Sequence, residues 1–211
     1  MFEDRAQAGR ALAKRLRHVA GHDLLVLALP RGGVPVAAEV ARTLDAPLDV
    51  LGVRKLGAPG HRELAIGAIA EGGVRLVSEW AFTHLNLSED DLDRIEAAER
   101  TELERRVRSY RADRALPAMR GRTVIVVDDG LATGSTATAA CRAVRQGGAS
   151  RLILAVPVAS EEGVAALRGE ADEVVAVEVP RDFVAVGRWY RDFGQTTDDE
   201  VLALLEELGA P

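Results

Sequence analysis

The chain has a single cysteine, Cys141, among its 211 residues. It cannot close an internal disulfide, and it has no partner at metal-ligand spacing. Within a run of helix-forming residues, a lone thiol reads as a small buried hydrophobe rather than a nucleophile. Positive charge is also short. There are 27 Lys and Arg against 33 Asp and Glu, for a net charge of −6. A general nucleic-acid binder needs clustered cations against phosphate, so no nucleic-acid partner is expected; a local basic pocket remains compatible with the balance. No apolar run approaches the roughly 20 residues that span a bilayer, so no membrane partner is expected either. The first residues, Met1-Phe-Glu-Asp-Arg5, lack the charged-then-apolar order of an export signal. A cytoplasmic protein is the expectation. Internal repeats, low-complexity tracts and linkers are lacking too, which leads us to expect one domain over 1–211. The hydrophobic content, 47%, is enough to bury a sizeable core.

The most informative stretch that is present is Val124-Ile-Val-Val-Asp-Asp-Gly-Leu-Ala-Thr-Gly-Ser-Thr136. Four β-branched residues read as a buried strand. Two adjacent carboxylates, Asp128 and Asp129, stand at its end. A turn of small residues then opens into the helical run 137–146. A helix opening offers unpaired N–H groups and partial positive charge to an anion. Thr133, Ser135 and Thr136 add hydroxyl donors, and Gly134 lets the backbone approach closely. The acid pair would repel a bare phosphate. It suits a ligand with hydroxyls beside its phosphate, and a ribose 5-phosphate is such a ligand.

Along the chain, periodicity predicts helices over 5–20, 34–44, 88–114, 135–146, 160–168 and 197–208. It predicts strands over 24–29, 48–53, 123–127, 151–156 and 173–179. Ile66–Ile69 and Val74–Val77, around Glu71-Gly-Gly73, read as a hairpin. Ser88 and Asp91 form a capping start for the long helix, whose stripe of Leu92, Ile95, Leu103 and Val107 is thin. Residues 78–116 are therefore expected to form a helical cap or a homodimer arm. Strands alternating with helices predict an α/β fold, a single doubly wound and mostly parallel sheet flanked by helices. Ligands then gather beyond the carboxyl ends of the strands. Leu29-Pro-Arg-Gly-Gly33 and Asp128–Thr136 both lie at such ends.

The 124–136 pattern resembles the signature of type I phosphoribosyltransferases: an apolar strand, two acids, three variable residues, then Thr-Gly and small hydroxyl residues. The order Pro-Arg-Gly-Gly, Arg-Lys-Leu-Gly-Ala-Pro-Gly and the acid pair is similar to a group of bacterial phosphoribosyltransferase-like proteins of unassigned acceptor. The resemblance implies transfer of the 5-phosphoribosyl group from phosphoribosyl pyrophosphate to a nitrogenous acceptor. Asp128 and Asp129 would orient the ribose and help hold Mg²⁺ through hydroxyls or water. Ala132, Thr133, Gly134, Ser135 and Thr136 would take the 5-phosphate. Arg31, Gly32 and Gly33 would bind pyrophosphate, the glycines supplying free backbone dihedrals.

The polar segment 54–63 would be a flexible lid, with Arg54 and Lys55 on pyrophosphate oxygens and His61 and Arg62 as further cations. Phe183 would stack on the acceptor ring, with Val184 reading its edge. Asp192 would partner the metal, although Gly187 is displaced by one residue from the pattern. Ala132 stands where the 6-oxopurine enzymes carry an acid, so a planar acceptor other than a 6-oxopurine is expected. A non-catalytic sensor of phosphoribosyl pyrophosphate or a nucleotide is the main alternative, and an N-glycoside hydrolase a third.

Overall fold

The computed structural model describes residues 1–209 apart from His22, Asn86 and Asp113, and leaves aside the side chains of Arg62, Glu63 and Phe82. Five parallel strands form the main sheet: β1 (Leu24–Ala28), β2 (Leu48–Val50), β6 (Thr123–Val127), β7 (Arg151–Val158) and β8 (Glu173–Glu178), in the order β2-β1-β6-β7-β8. Their apolar runs are continuous because both faces are covered. Leu24, Val26, Ile125 and Val127 pack on one side, under α1 (Arg5–Arg15), α2 (Gly33–Leu44) and α7 (Asp198–Leu208). Leu25, Leu27, Val124 and Val126 face the other side, under α5 (Ser135–Gln146). The short α6 (Glu161–Ala166) connects β7 to β8. This is the doubly wound arrangement that the alternation of elements predicts.

A second sheet holds β3 (Val53–Ala58), β4 (His61–Ala70) and β5 (Val74–Val77), all antiparallel. Here the polar segment 54–63 departs from expectation. It is paired backbone, with Lys55 opposite Ala68 and Leu56 opposite Gly67. The reason lies in the inward side chains. Leu56 and Ala58 are buried with Ile66 and Ile69 beneath Leu92 and Leu103 of α4 (Glu89–Arg111). That apolar partner lies more than thirty positions further on, so the local sequence looked like a loop.

Segment 78–116 thus packs on the antiparallel sheet, through α4 and the short α3 (Glu79–His84). The expected capping box is present: Ser88 Oγ accepts from the Asp91 N–H at 3.2 Å and Asp91 accepts from the Ser88 N–H at 3.1 Å. Among the described residues, no helix is long and apolar enough to cross a membrane.

Candidate active site at two adjacent strand ends

β1 and β6 are neighbours in register, with Ala28 opposite Val127. The order of the sheet reverses there, so the loops leaving both strands meet at one crevice. Leu29 extends the ladder by donating its N–H to Val127 O at 2.8 Å. The chain then turns through a cis Pro30–Arg31 peptide into Gly32 and α2.

The two glycines do not use the free dihedrals expected of them. Gly32 has ordinary helical dihedrals, φ −58° and ψ −32°. Space is what it supplies: a Cβ there would lie 2.0 Å from Asp129 Oδ2. A Cβ on Gly33 would lie 2.7 Å from Val127 O. A larger residue at either position would force the Asp129 carboxylate, the end of β6 or the first loop to shift.

Asp128 and Asp129 close the end of β6. Asp128 Oδ1 accepts from the Asp129 N–H at 2.8 Å. Burial lifts the Asp128 carboxyl well above the ordinary range, and the neighbouring Asp129 charge lifts it further. Asp129 is also raised by burial, but Arg5 opposes the shift. Arg5, which sequence reasoning missed, donates from Nε to Asp129 Oδ2 at 2.9 Å and from Nη1 to Gly194 O at 2.7 Å. Its guanidinium lies 4.0 Å from the centroid of the Phe193 ring. The Tyr190 hydroxyl donates to Asp129 O at 2.6 Å, and burial raises its pKa. The only local signal for Arg5 was its place at the start of an amphipathic helix.

Beyond the acids, Gly134 adopts φ 84° and starts α5. A left-handed residue there suits glycine, and a Cβ would also meet Leu167 at 2.8 Å. Among the described residues, Ser135 Oγ and Thr136 Oγ1 are buried without a hydrogen-bond partner, an uncommon state for buried hydroxyls. A cavity of about 230 Å³ runs along this loop. Asp128, Asp129, residues 130–137, Lys55 and Val186 line it. The structure therefore brings together the acid pair, the phosphate-sized loop and Lys55, with Gly32 packed behind Asp129.

Other expected residues do not line this cavity. Arg54 is ion-paired with Glu99 of α4. Arg31 lies 3.7 Å from Asp198 in a half-exposed pair. Phe183 is half-buried against the Phe2–Ala8–Val158–Tyr190 cluster, and Val184 is exposed. Neither lines the cavity, whereas Val186 does, pressed against Gly130. Asp192 is exposed, and its Oδ1 accepts from the Gly194 N–H at 3.0 Å. Among the described residues no three His, Cys, Asp or Glu side chains form a metal-holding group, so Asp192 does not join the acid pair. His61 lies on β4, exposed; the Arg62 side chain is outside the described residues. Cys141 is buried in α5, where burial pushes its thiol up to about 12, as befits a packing residue.

Two carboxylates remain for a cation. Mg²⁺ commonly uses one or two carboxylates and completes its shell with water and substrate oxygens, so the pair fits that ion only in company with an oxygen-rich ligand.

The model of the phosphoribosyl transferase domain matches residues 3–190, and the chain belongs to that family. Two Mycobacterium tuberculosis proteins, MT0597 and Rv0571c, provisionally named phosphoribosyl transferases, are each 50% identical over 206 residues. That alignment covers 98% of this chain and 46% of each relative, so the chain spans about half the length of the curated relatives it matches. The crystal structure of TT1426 from Thermus thermophilus superposes with a TM-score of 0.84 at 47% identity, covering 99% of both chains. The AQ2163 protein of Aquifex aeolicus shares the fold at a TM-score of 0.53 and 13% identity, over 83% of this chain and 74% of its own.

Proposed function

We propose that this chain moves the 5-phosphoribosyl group of phosphoribosyl pyrophosphate to a nitrogenous acceptor and releases pyrophosphate. The observation that carries the reading is the pairing of two unpartnered buried hydroxyls, Ser135 and Thr136, with the acid pair in one cavity. Hydroxyls and N–H groups at the start of α5 would hold the 5-phosphate, together with the backbone of Ala132, Thr133 and Gly134. Asp128 would accept from a ribose hydroxyl. Asp129, already bonded to Arg5 through Oδ2, has its second oxygen for the same task. Mg²⁺, when bound, would neutralise pyrophosphate oxygens. Lys55 and Arg31, with the backbone of Gly32 and Gly33, would hold the leaving group.

The acceptor nitrogen attacks C1, the bond from C1 to the pyrophosphate oxygen breaks, and the nitrogen sheds its proton. Positioning and charge neutralisation supply most of the rate. Ala132 supplies no carboxylate beside the acceptor, which favours a ring other than a 6-oxopurine.

Calorimetry with phosphoribosyl pyrophosphate and Mg²⁺ tests the reading. The wild-type chain should bind, and the Asp128→Asn/Asp129→Asn variant should bind at least about a hundredfold more weakly, as expected for losing two charge-assisted contacts. Equal affinities would end the proposal. Tight binding with no turnover of any base would leave a sensor in its place.

A further inference from the structure

The two edges of the main sheet are unlike. β2 is three residues long and fully buried, and Gly209 bridges to Leu48 along its outer side. That edge is closed. β8 is six residues long and ends the strand order on the other side. Its pairing with β7 is regular, from Ile153 opposite Glu173 to Val158 opposite Glu178.

Asp172 donates its N–H to Leu152 O at 2.9 Å, and Ala159 donates its N–H to Glu178 O at 3.0 Å. Even-numbered residues therefore turn their backbone groups towards β7. By the two-residue alternation of a strand, Glu173, Val175 and Val177 turn theirs outwards. Among the described residues, no group bonds to that outward backbone. Pro180 is even-numbered, so its missing N–H takes nothing from the outer edge.

Proteins blunt an open edge with lysine, proline or a bulge. β8 reads Glu173-Val-Val-Ala-Val-Glu178 and has none of these. Its four apolar residues are only half-buried, whereas β7 beside them is buried from Leu152 to Val158. Val179, just beyond, is 44% exposed. Arg181 is exposed and, among the described residues, has no ion pair.

We infer that the outer edge of β8 is an interaction surface for a second copy of this chain, which adds its own β8 in antiparallel order. One register accounts for the features left over. With Val177 opposite Val177 of the second copy, Val175 faces the other Val179, and Glu173 faces the other Arg181. Opposed outward residues exchange backbone hydrogen bonds. Glu173 accepts from Arg151 at 2.8 Å and lies 2.9 Å from His18 Nε2, and a carboxylate has lone pairs for a further donor. A slip of two residues one way sets Glu178 against Glu178 of the second copy. A slip the other way leaves Arg181 without its acid. The contact is two-fold and closes at two copies. It does not depend on the proposed reaction.

Sedimentation velocity should show a monomer–dimer equilibrium with a Kd of about 1–100 μM, the range of a small interface. Arg181→Glu sets acid against Glu173 twice in the dimer and should raise that Kd about tenfold, as two exposed pairs would give. Val177→Pro removes the central outward N–H, keeps the bonds to β7 and should leave only monomer. Val177→Cys puts the sole accessible thiol on the two-fold axis, since Cys141 is buried. Opposed Cα atoms about 5.5 Å apart lie within disulfide reach, so mild oxidation should give a covalent dimer. A monomer throughout that range, a dimer indifferent to Arg181→Glu, or no covalent dimer from Val177→Cys overturns the inference. Arg181 is a surface residue, so Arg181→Glu still reads the edge should Val177→Pro fail to fold.

Discussion

Replacing Arg111 by Met should loosen the antiparallel sheet from the parallel one. Arg111 ends α4 with its side chain only 2% exposed, beside Asp49 at 1% and Glu71 at 13%. Its Nη2 donates to Glu71 Oε1, and its Nε lies 3.5 Å from Asp49 Oδ1. Glu71 uses its other oxygen to accept from the Gly52 N–H at 2.6 Å, at the root of β3. The triad therefore joins β2, the base of the hairpin and the end of α4. Breaking one member of a buried ion cluster costs about 3–5 kcal/mol, because the remaining charges lose their compensation. Glu71 keeps Gly52, and Arg114 also acts on Asp49, so the lower end, about 3 kcal/mol, applies.

For a chain of this size that is a fall in Tm of about 6–12 °C, read by thermal denaturation and urea titration at pH 7.5. The triple change Arg111→Met/Asp49→Asn/Glu71→Gln should recover much of the loss, since removing a whole buried cluster is often close to neutral. The pH dependence has a definite sign. Burial holds the Asp49 carboxyl above its ordinary value, and Arg111 pulls it back down. Without Arg111 it rises further, so the folded state binds a proton more readily than the unfolded chain. The variant's deficit should shrink as pH falls from the raised pKa of Asp49 towards its unfolded value. A loss below about 1 kcal/mol, or a triple variant less stable than the single one, would refute the account of a coupled buried cluster.

Two further outcomes follow from the site. Gly32→Ala places a methyl group 2.0 Å from Asp129 Oδ2; overpacking of that kind costs about 1–3 kcal/mol, and affinity for Mg²⁺ with phosphoribosyl pyrophosphate should fall about tenfold or more by calorimetry, whereas unchanged binding would show that the loop can yield. Arg5→Met removes the cation that offsets the burial of Asp129, whose pKa is already raised; the ligand-free variant should lose most stability above that raised pKa and least as pH falls towards the unfolded carboxylate value, so a stability difference from wild type that does not shrink as pH is lowered into the ordinary carboxylate range would contradict it.

What was legible in the sequence and what was not divides by distance along the chain. The strand, acid pair and helix opening of 124–136 are consecutive, and each local preference agrees with the fold. Their placement followed from residue order alone, as did the alternation that produces β1, β6 and β7. The antiparallel β4–β5 pair read from Ile66–Ile69 and Val74–Val77 is present, but the β3–β4 hairpin was illegible for the opposite reason. Arg54, Lys55 and the glycines around them carry the polarity of a loop, while Leu56 and Ala58 acquire meaning only once Leu92 and Leu103 of α4 lie over them. Arg5 was hidden more deeply: it meets Asp129 across 124 positions.

The consequence reaches the chemistry. Arg5 holds Oδ2 of Asp129, while Asp128 Oδ1 accepts, among the described residues, the N–H of its neighbour. Two acids that look equivalent in the motif are therefore unequal in the folded chain. The Arg5 guanidinium is fixed further by Gly194 O and the Phe193 ring, so it is held in place before any ligand arrives. That preorganised cation opposes the burial that favours the neutral acid at Asp129. A ligand bearing several hydroxyls then meets one carboxylate already clamped and one with Lys55 as its nearby cation. An incoming hydroxyl or metal-bound water has most freedom to be accepted at Asp128, and Asn at that position alone should weaken phosphoribosyl pyrophosphate more than Asn at Asp129.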